Sequence, residues 1–257
     1  MAITLKSKKE IEILREGGKR LANIMQELIS LAKPGISTWE LDQIAEKLIL
    51  GCGGKSSFKG YQIKETKVPY PSSICASLNS EVVHGIPKKE VILKKGDILS
   101  IDAGMQFQGL FVDMAFTVGI GVLGKEAQKL LQATKEALDL GNAAIRPGAH
   151  LGDIGHAIET CLRKNSLGIV RDLAGLGVGY KVHEDPLIPN FGKSGTGLIL
   201  KQGMVLAIEP MATLGSGAIE LARDQWTFRA SDNALSAHFE HTVAVSDDGV
   251  EILTKLA

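Results

Sequence analysis

Apolar residues recur at helical spacing in four stretches of the 257-residue chain. The first runs through Ile11, Leu14, Leu21, Ile24, Met25 and Leu28. It follows Ser7-Lys8-Lys9-Glu10, a Ser/Glu pattern in which each side chain satisfies an orphan amide at a helix start. Lys33-Pro34-Gly35 stops that helix, and Ser37-Thr38-Trp39-Glu40 opens a second with Leu41, Ile44, Ala45 and Leu48 on one face. Gly51-Cys52-Gly53-Gly54 ends it. A third helix is expected over Lys125–Gly141, with Ala127, Leu130, Leu131, Thr134 and Leu138 inward. Arg146-Pro147-Gly148 stops it, and 151–164 form a fourth. Elsewhere the pattern shortens to a period of two or to brief apolar runs. A proline-broken loop over 55–73 leads to short strands between Ile74 and Gly85. Strands at about 98–104 and 110–118 make a hairpin, and Met204–Glu209 and Glu240–Val245 read as further strands.

The pattern repeats. Lys33-Pro34-Gly35 before a helix returns as Arg146-Pro147-Gly148 before a helix, an offset of 113. The run from Leu93 to Asp102, LKKGDILSID, returns from Leu200 to Glu209 as LKQGMVLAIE, an offset of 107. Two matches in the same order point to duplication. The chain therefore reads as an α/β protein, one domain built from two pseudo-symmetric halves, about 1–118 and 119–257. Asp102 and Glu209 are equivalent, each ending an apolar strand at the seam between halves.

The hairpin sharpens this. With its turn centred between Phe107 and Gln108, Asp102 lies directly across from Asp113, Cβ atoms about 4.5–5.5 Å apart. Like charges so placed in an apolar sheet are unfavourable unless a cation sits between them. The alternative is a bulged register that turns one aspartate to solvent. Glu209 and Glu240 also abut apolar strands, and no basic residue within those strands can pair with any of the four acids. Such an oxygen-rich set suits a pair of divalent ions.

Composition narrows the class without naming it. Hydrophobic residues make up 44% and charged residues 23%, ordinary for a globular protein. Lys plus Arg and Asp plus Glu balance at 29 each, so no net field recruits nucleic acid or an anionic membrane. The N-terminal residues lack the apolar core of a signal peptide, and no apolar run approaches the length of a membrane span. Cys52, Cys75 and Cys161 form no CxxC pair, which leads to the expectation of a reduced, cytoplasmic protein.

Two nucleotide-binding patterns fail on context. Gly119-Ile-Gly121-Val-Leu-Gly124 matches the dinucleotide fingerprint, but Arg146-Pro147 leads into a helix where that fold needs a parallel strand. Gly54-Lys55-Ser56 resembles the end of a P-loop, but Ile49 stands where its first glycine belongs. Among the histidines, His150 and His156 read as structural or exposed. His84 and His183 are flanked by turn residues that could present an imidazole to a cleft.

Six segments in order carry a resemblance: Ser80–Pro87 (SEVVHGIP), Ile101–Gly104 (IDAG), Phe111–Asp113 (FVD), His183–Pro186 (HEDP), Ile208–Met211 (IEPM) and Phe239–Thr242 (FEHT). The chain resembles the type I methionine aminopeptidases over essentially its whole length. The resemblance implies the pita-bread fold, with pseudo-twofold halves around a curved antiparallel sheet. It implies metal-dependent removal of methionine from peptides and nascent proteins, at N-termini where a small residue follows. Two ions of the Co, Mn, Fe, Zn or Ni class would be held by Asp102, Asp113, Glu209 and Glu240. His84, His183 and Glu209 would be catalytic, and His84 and His183 would contact substrate together with Tyr70, Cys75 and Trp226 of an apolar methionine pocket. A monomer in transient contact with the ribosome is implied, without nucleic-acid specificity or membrane attachment.

One position departs from the family. Its fifth ligand is a histidine in a Gly-His-Gly loop, and here Leu176 stands between Gly175 and Gly177. A hydrocarbon cannot donate to a metal, so one ion should be held weakly and activity reduced or lost. His238, two residues before Glu240, is the candidate for a substitute donor; a contact to another ligand is the plainer role for it. The competing function is a non-catalytic pita-bread module that binds nascent N-termini or a ribosomal partner. A proline-specific relative of the same fold is disfavoured, because those enzymes carry an N-terminal domain for which the residues before the first helix leave no room.

Overall fold

The computed structural model describes residues 3–63 and 68–256. Both Ser/Glu patterns form as expected. Ser7 caps α1 (Lys8–Leu31) and Ser37 caps α2 (Thr38–Gly51), each with its reciprocal glutamate hydrogen bond. The apolar stripe of α1 buries Leu14, Leu21, Met25 and Leu28. The expected loop 55–73 is broken by a short strand β1 (Lys55–Ser56), and its residues 64–67 lie outside the described residues. Strands β2 (Cys75–Leu78) and β3 (Glu81–Val83) follow, then the hairpin β4 (Ile98–Phe107) and β5 (Leu110–Gly119).

The hairpin register differs from the expected one by two residues. Gln108 and Gly109 form the turn with φ of 48° and 86°, the pair of positive values that a two-residue primed turn requires. Asp102 therefore faces Ala115, and Asp113 faces Gly104. The two aspartates are diagonal neighbours rather than direct partners. A slip of two keeps both side chains on one face, so they still converge.

Helices α3 (Lys125–Ala143) and α4 (Leu151–Lys164) pack on each other, as the third and fourth apolar stripes anticipate. The remaining elements are short: β6 (Gly168–Ile169), β7 (Ala174–Gly177), β8 (Glu184–Pro189), β9 (Val205–Ile208), β10 (Met211–Thr213), β11 (Ile219–Leu221), β12 (Phe228–Ala230), β13 (Ser236–His238), β14 (His241–Val245) and β15 (Val250–Ile252). The strands form four hydrogen-bonded groups, β1-β4-β2 with β5 on β4, β13-β10-β6, β11-β12-β3 and β15-β14-β9-β7-β8. Every pairing among the described residues is antiparallel.

Two large apolar cores result. One joins α1 and α2 to the β4–β5 hairpin; the other joins α3 and α4 to β9 and β14. Phe116 packs against both and meets Phe239 edge-on at 4.9 Å between centroids. This seam carries the acidic residues.

Candidate metal and substrate site

Four strands aim carboxylates at one place. Asp102 and Asp113 come from the middle of the hairpin. Glu209 follows the last residue of β9 and Glu240 precedes the first residue of β14, and these strands pair with His241 opposite Ile208. Their adjoining ends therefore bring the two glutamates together. Backbone ties hold the frame: the Glu240 N–H donates to the Ala115 carbonyl at 2.8 Å, and the Asp113 N–H donates to Thr242 Oγ1 at 2.8 Å. One oxygen from each of Asp102, Asp113 and Glu240 lies within 4.8 Å of the others.

Burial makes this cluster electrostatically costly. Desolvation, then the neighbouring Glu209, raises Asp113 to about 8. Desolvation raises Glu209 to about 8 as well. Asp102 and Glu240 are pushed well above the carboxylate range, first by burial and then by Asp113. Among the described residues no Lys or Arg pairs with any of the four. Asp102 Oδ1 is buried with no hydrogen-bond partner there. Converging, unpaired, desolvated oxygens fit a hard or borderline divalent cation, which would replace the missing positive charge.

A pH dependence follows. Asp113 and Glu209 hold protons in the metal-free fold up to about pH 8 but lose them near pH 4 when unfolded. The folded state then binds more protons, so its stability falls as pH rises through that window. We expect the melting temperature of metal-free protein to drop by at least ~5 °C between about pH 5.5 and 8.5, given about 2–4 °C per kcal/mol at this chain length. Saturating Mn2+ should remove most of that drop. Differential scanning calorimetry at both pH values, with and without the ion, reads the difference directly.

The acids open onto a cavity of about 270 Å³. Its other walls include Tyr70, Cys75, Trp226, His84 and His183, so the structure brings every expected site residue to one place. Cys75 is the register partner of Asp102, which sets the apolar wall beside the acids. Tyr70 stands edge-on to Trp226 at 5.3 Å and donates to the Gly85 carbonyl at 3.0 Å. Trp226 Nε1–H donates to the Val68 carbonyl at 3.0 Å, so each buried ring has its polar atom satisfied. His84 has φ of 58°, in the left-handed region that non-glycine residues rarely occupy. Burial lowers it to about 4, which keeps the imidazole neutral.

Several participants were not among the expected site residues. Phe58 and Met211 also wall the cavity. The Tyr61 hydroxyl bonds His183 Nδ1 at 2.7 Å, with its ring edge-on at 5.1 Å. The loop bearing His183 is tied to the N-terminal segment, where buried Lys6 pairs with Glu184 at 2.8 Å. Glu184 also accepts from the Lys181 N–H at 2.9 Å, closing the turn around His183.

Leu176 sits in the cavity wall with the acids. It lies on β7, opposite Ala207 of β9. Its flanking glycines cannot be enlarged without striking backbone: a Cβ at Gly175 would meet the Ala207 carbonyl, and one at Gly177 the Asp185 carbonyl. Close packing at both glycines fixes the backbone on either side of position 176, which lines the same cavity as the acids.

The family model of metallopeptidase family M24 matches residues 12–247. The chain belongs to metallopeptidase family M24. Within the family it is 44% identical over 254 residues to methionine aminopeptidase 1 of Bacillus subtilis, covering 99% of this chain and 100% of that protein. It is also 44% identical over 260 residues to the methionine aminopeptidase of Aquifex aeolicus, covering 100% of both. The crystal structure of a methionine aminopeptidase from Thermotoga maritima superposes with a TM-score of 0.95 at 38% identity, covering 99% of this chain and 100% of that one. The α/β pita-bread fold extends to the prolidase of Pyrococcus horikoshii, with a TM-score of 0.76 at 19% identity over 98% of this chain and 64% of that one. An M24 metallopeptidase depends on divalent metal, in accord with the donor set above.

Proposed function

We propose that this M24 chain is a methionine aminopeptidase, a hydrolase that removes N-terminal methionine from peptides and nascent proteins when a small residue follows. The observation that carries the reading is the junction of a four-carboxylate cluster with an apolar cavity walled by Tyr70, Cys75 and Trp226. An unbranched thioether suits such a pocket.

Asp102, Asp113, Glu209 and Glu240 would hold two ions of the Co, Mn, Fe, Zn or Ni class, one of them weakened because Leu176 offers no donor. When bound, a divalent cation supplies Lewis acidity toward a carbonyl oxygen and toward water. The protein's own groups do the rest. His183 would polarise the scissile carbonyl, its ring held by the 2.7 Å hydrogen bond between Nδ1 and the Tyr61 hydroxyl; the tautomer in which Nδ1 accepts would carry its proton on Nε2. Neutral His84 would hydrogen-bond the scissile amide, and Glu209 would accept and return a proton during cleavage. The aromatic walls hold the methionine and exclude water. Tyr61→Phe removes one orienting hydrogen bond worth ~1 kcal/mol, so kcat/KM should fall roughly 5-fold with little change in melting temperature.

The reading extends to one catalytic domain of two pseudo-symmetric halves, supported by the two apolar cores. It also extends to a cytoplasmic monomer that meets nascent chains in passing at the ribosome. Its balanced charge supports no preference for nucleic acid. Among the described residues no helix is long and apolar enough to cross a membrane.

The test is release of free methionine from a Met-Ala-Ser peptide with saturating Mn2+ or Co2+, using the chain and its Leu176→His variant. Release by the variant, lost in Asp113→Ala, is the expected result. If the variant binds no metal and releases no methionine, the non-catalytic module that recognises N-termini becomes the better reading; Leu176 in the cavity wall is the observation that favours it.

A further inference from the structure

His238 is 2% exposed, and neither of its ring nitrogens has a hydrogen-bond partner among the described residues. Buried polar atoms are paired in the great majority of cases, so an imidazole with two unmade bonds calls for a cause. Its backbone is fixed. The His238 N–H donates to Thr117 Oγ1 at 2.9 Å, and that hydroxyl donates to the His238 carbonyl at 2.7 Å. Two residues on, the Glu240 N–H donates to the Ala115 carbonyl at 2.8 Å. Residues 238 and 240 therefore track β5 in step, on the edge that carries Asp113.

The ring reaches the cluster at Glu209, with Nε2 3.4 Å from Glu209 Oε2. That separation is long for a charge-assisted hydrogen bond. It is within the spacing of two donors sharing one ion: ligands bound at about 2.0–2.2 Å stand about 2.8–3.6 Å apart at octahedral to tetrahedral angles. The same site otherwise offers only oxygen, because Leu176 occupies the wall position opposite Ala207.

We propose that His238 Nε2 is a metal ligand in this chain, coordinating the ion held by Glu209 and supplying the nitrogen donor that position 176 lacks. The proposal rests on the metallopeptidase reading and deepens it. The donor set becomes four carboxylates and one imidazole, with the imidazole on the β13 side of the site rather than on β7.

The test is electron spin echo modulation on metal-free full-length protein loaded with one equivalent of Mn2+. It compares the chain with its His238→Gln, His238→Asn, His84→Gln and His183→Gln variants, with calorimetric metal affinity measured alongside. Circular dichroism checks that each variant is folded, and the two replacements at 238 guard against one of them failing. The expected result is a directly coordinated imidazole 14N signal in the chain itself. It should persist in His84→Gln and His183→Gln but vanish in either 238 variant, with affinity at least ~10-fold weaker. Absence of the nitrogen signal in the chain, or its persistence when His238 is replaced, would overturn the proposal. Methionine release by Leu176→His, run in parallel, separates the two ideas. Release without a 238-dependent nitrogen signal removes this inference and leaves the function standing; no metal uptake by any version removes both.

Discussion

Leu176→His should raise metal affinity and turnover on a Met-Ala-Ser peptide by at least 10–100-fold, the range already seen when only a partner of a ligand is altered. The reasoning is local. β7 is held between β8 and β9, and Leu176 already lines the cavity with the acids, so an imidazole on the same Cα starts from the same wall. It would enter the cavity wall that Asp113, Glu209 and Glu240 share. Binding should tighten most for the more weakly held ion, so the gain should be largest at limiting metal and shrink at saturation. Steady-state rates across a Mn2+ titration measure this. Equal rates with Leu or His at position 176 in a His238→Gln background, at every metal concentration, would mean that position 176 is not at the metal.

Glu209→Gln should abolish activity while stabilising the metal-free protein. The amide keeps the shape of the carboxylate but cannot carry a proton back and forth, a role that contributes about 10²–10⁴-fold in rate. It also removes one negative charge from a buried cluster in which Glu209 is raised to about 8 and itself raises Asp113. At about pH 8 the metal-free variant should therefore melt several degrees higher than the parent, with the advantage fading as pH falls toward 5. A functional site that is electrostatically strained when empty should behave in this way. A variant that is both less stable and fully active would contradict both halves of the expectation.

The parts of the fold that were legible beforehand are those with redundant local signals. Both capping patterns, at Ser7/Glu10 and Ser37/Glu40, coincide with a helical stripe and a Pro-Gly or glycine-rich stop, and both helices begin where expected. The hairpin register differs by two from the expected one because Gln108-Gly109, not the Phe107–Gln108 junction, forms the turn with its two positive φ values. The face survived because side chains alternate with period two. Strands of two to four residues, such as β6, β10 and β13, carry no period long enough to read. The acids were legible because carboxylates on apolar strands without cationic partners are chemically odd. Tyr61 and the Lys6–Glu184 tie were not, since they depend on contacts across 122 and 178 residues of chain. His238 shows the same limit: its spacing from Glu240 was visible, but its approach to Glu209 is a matter of packing.

The four converging acids are expected to hold divalent metal. Calorimetric titration of metal-free protein with Mn2+ near pH 7.5 tests it most directly, with the Asp102→Asn/Asp113→Asn double variant as comparison. Saturable binding to the parent chain, accompanied by proton release and absent from the double variant, is the predicted result. Equal uptake by the two proteins, or none by the parent, would contradict it.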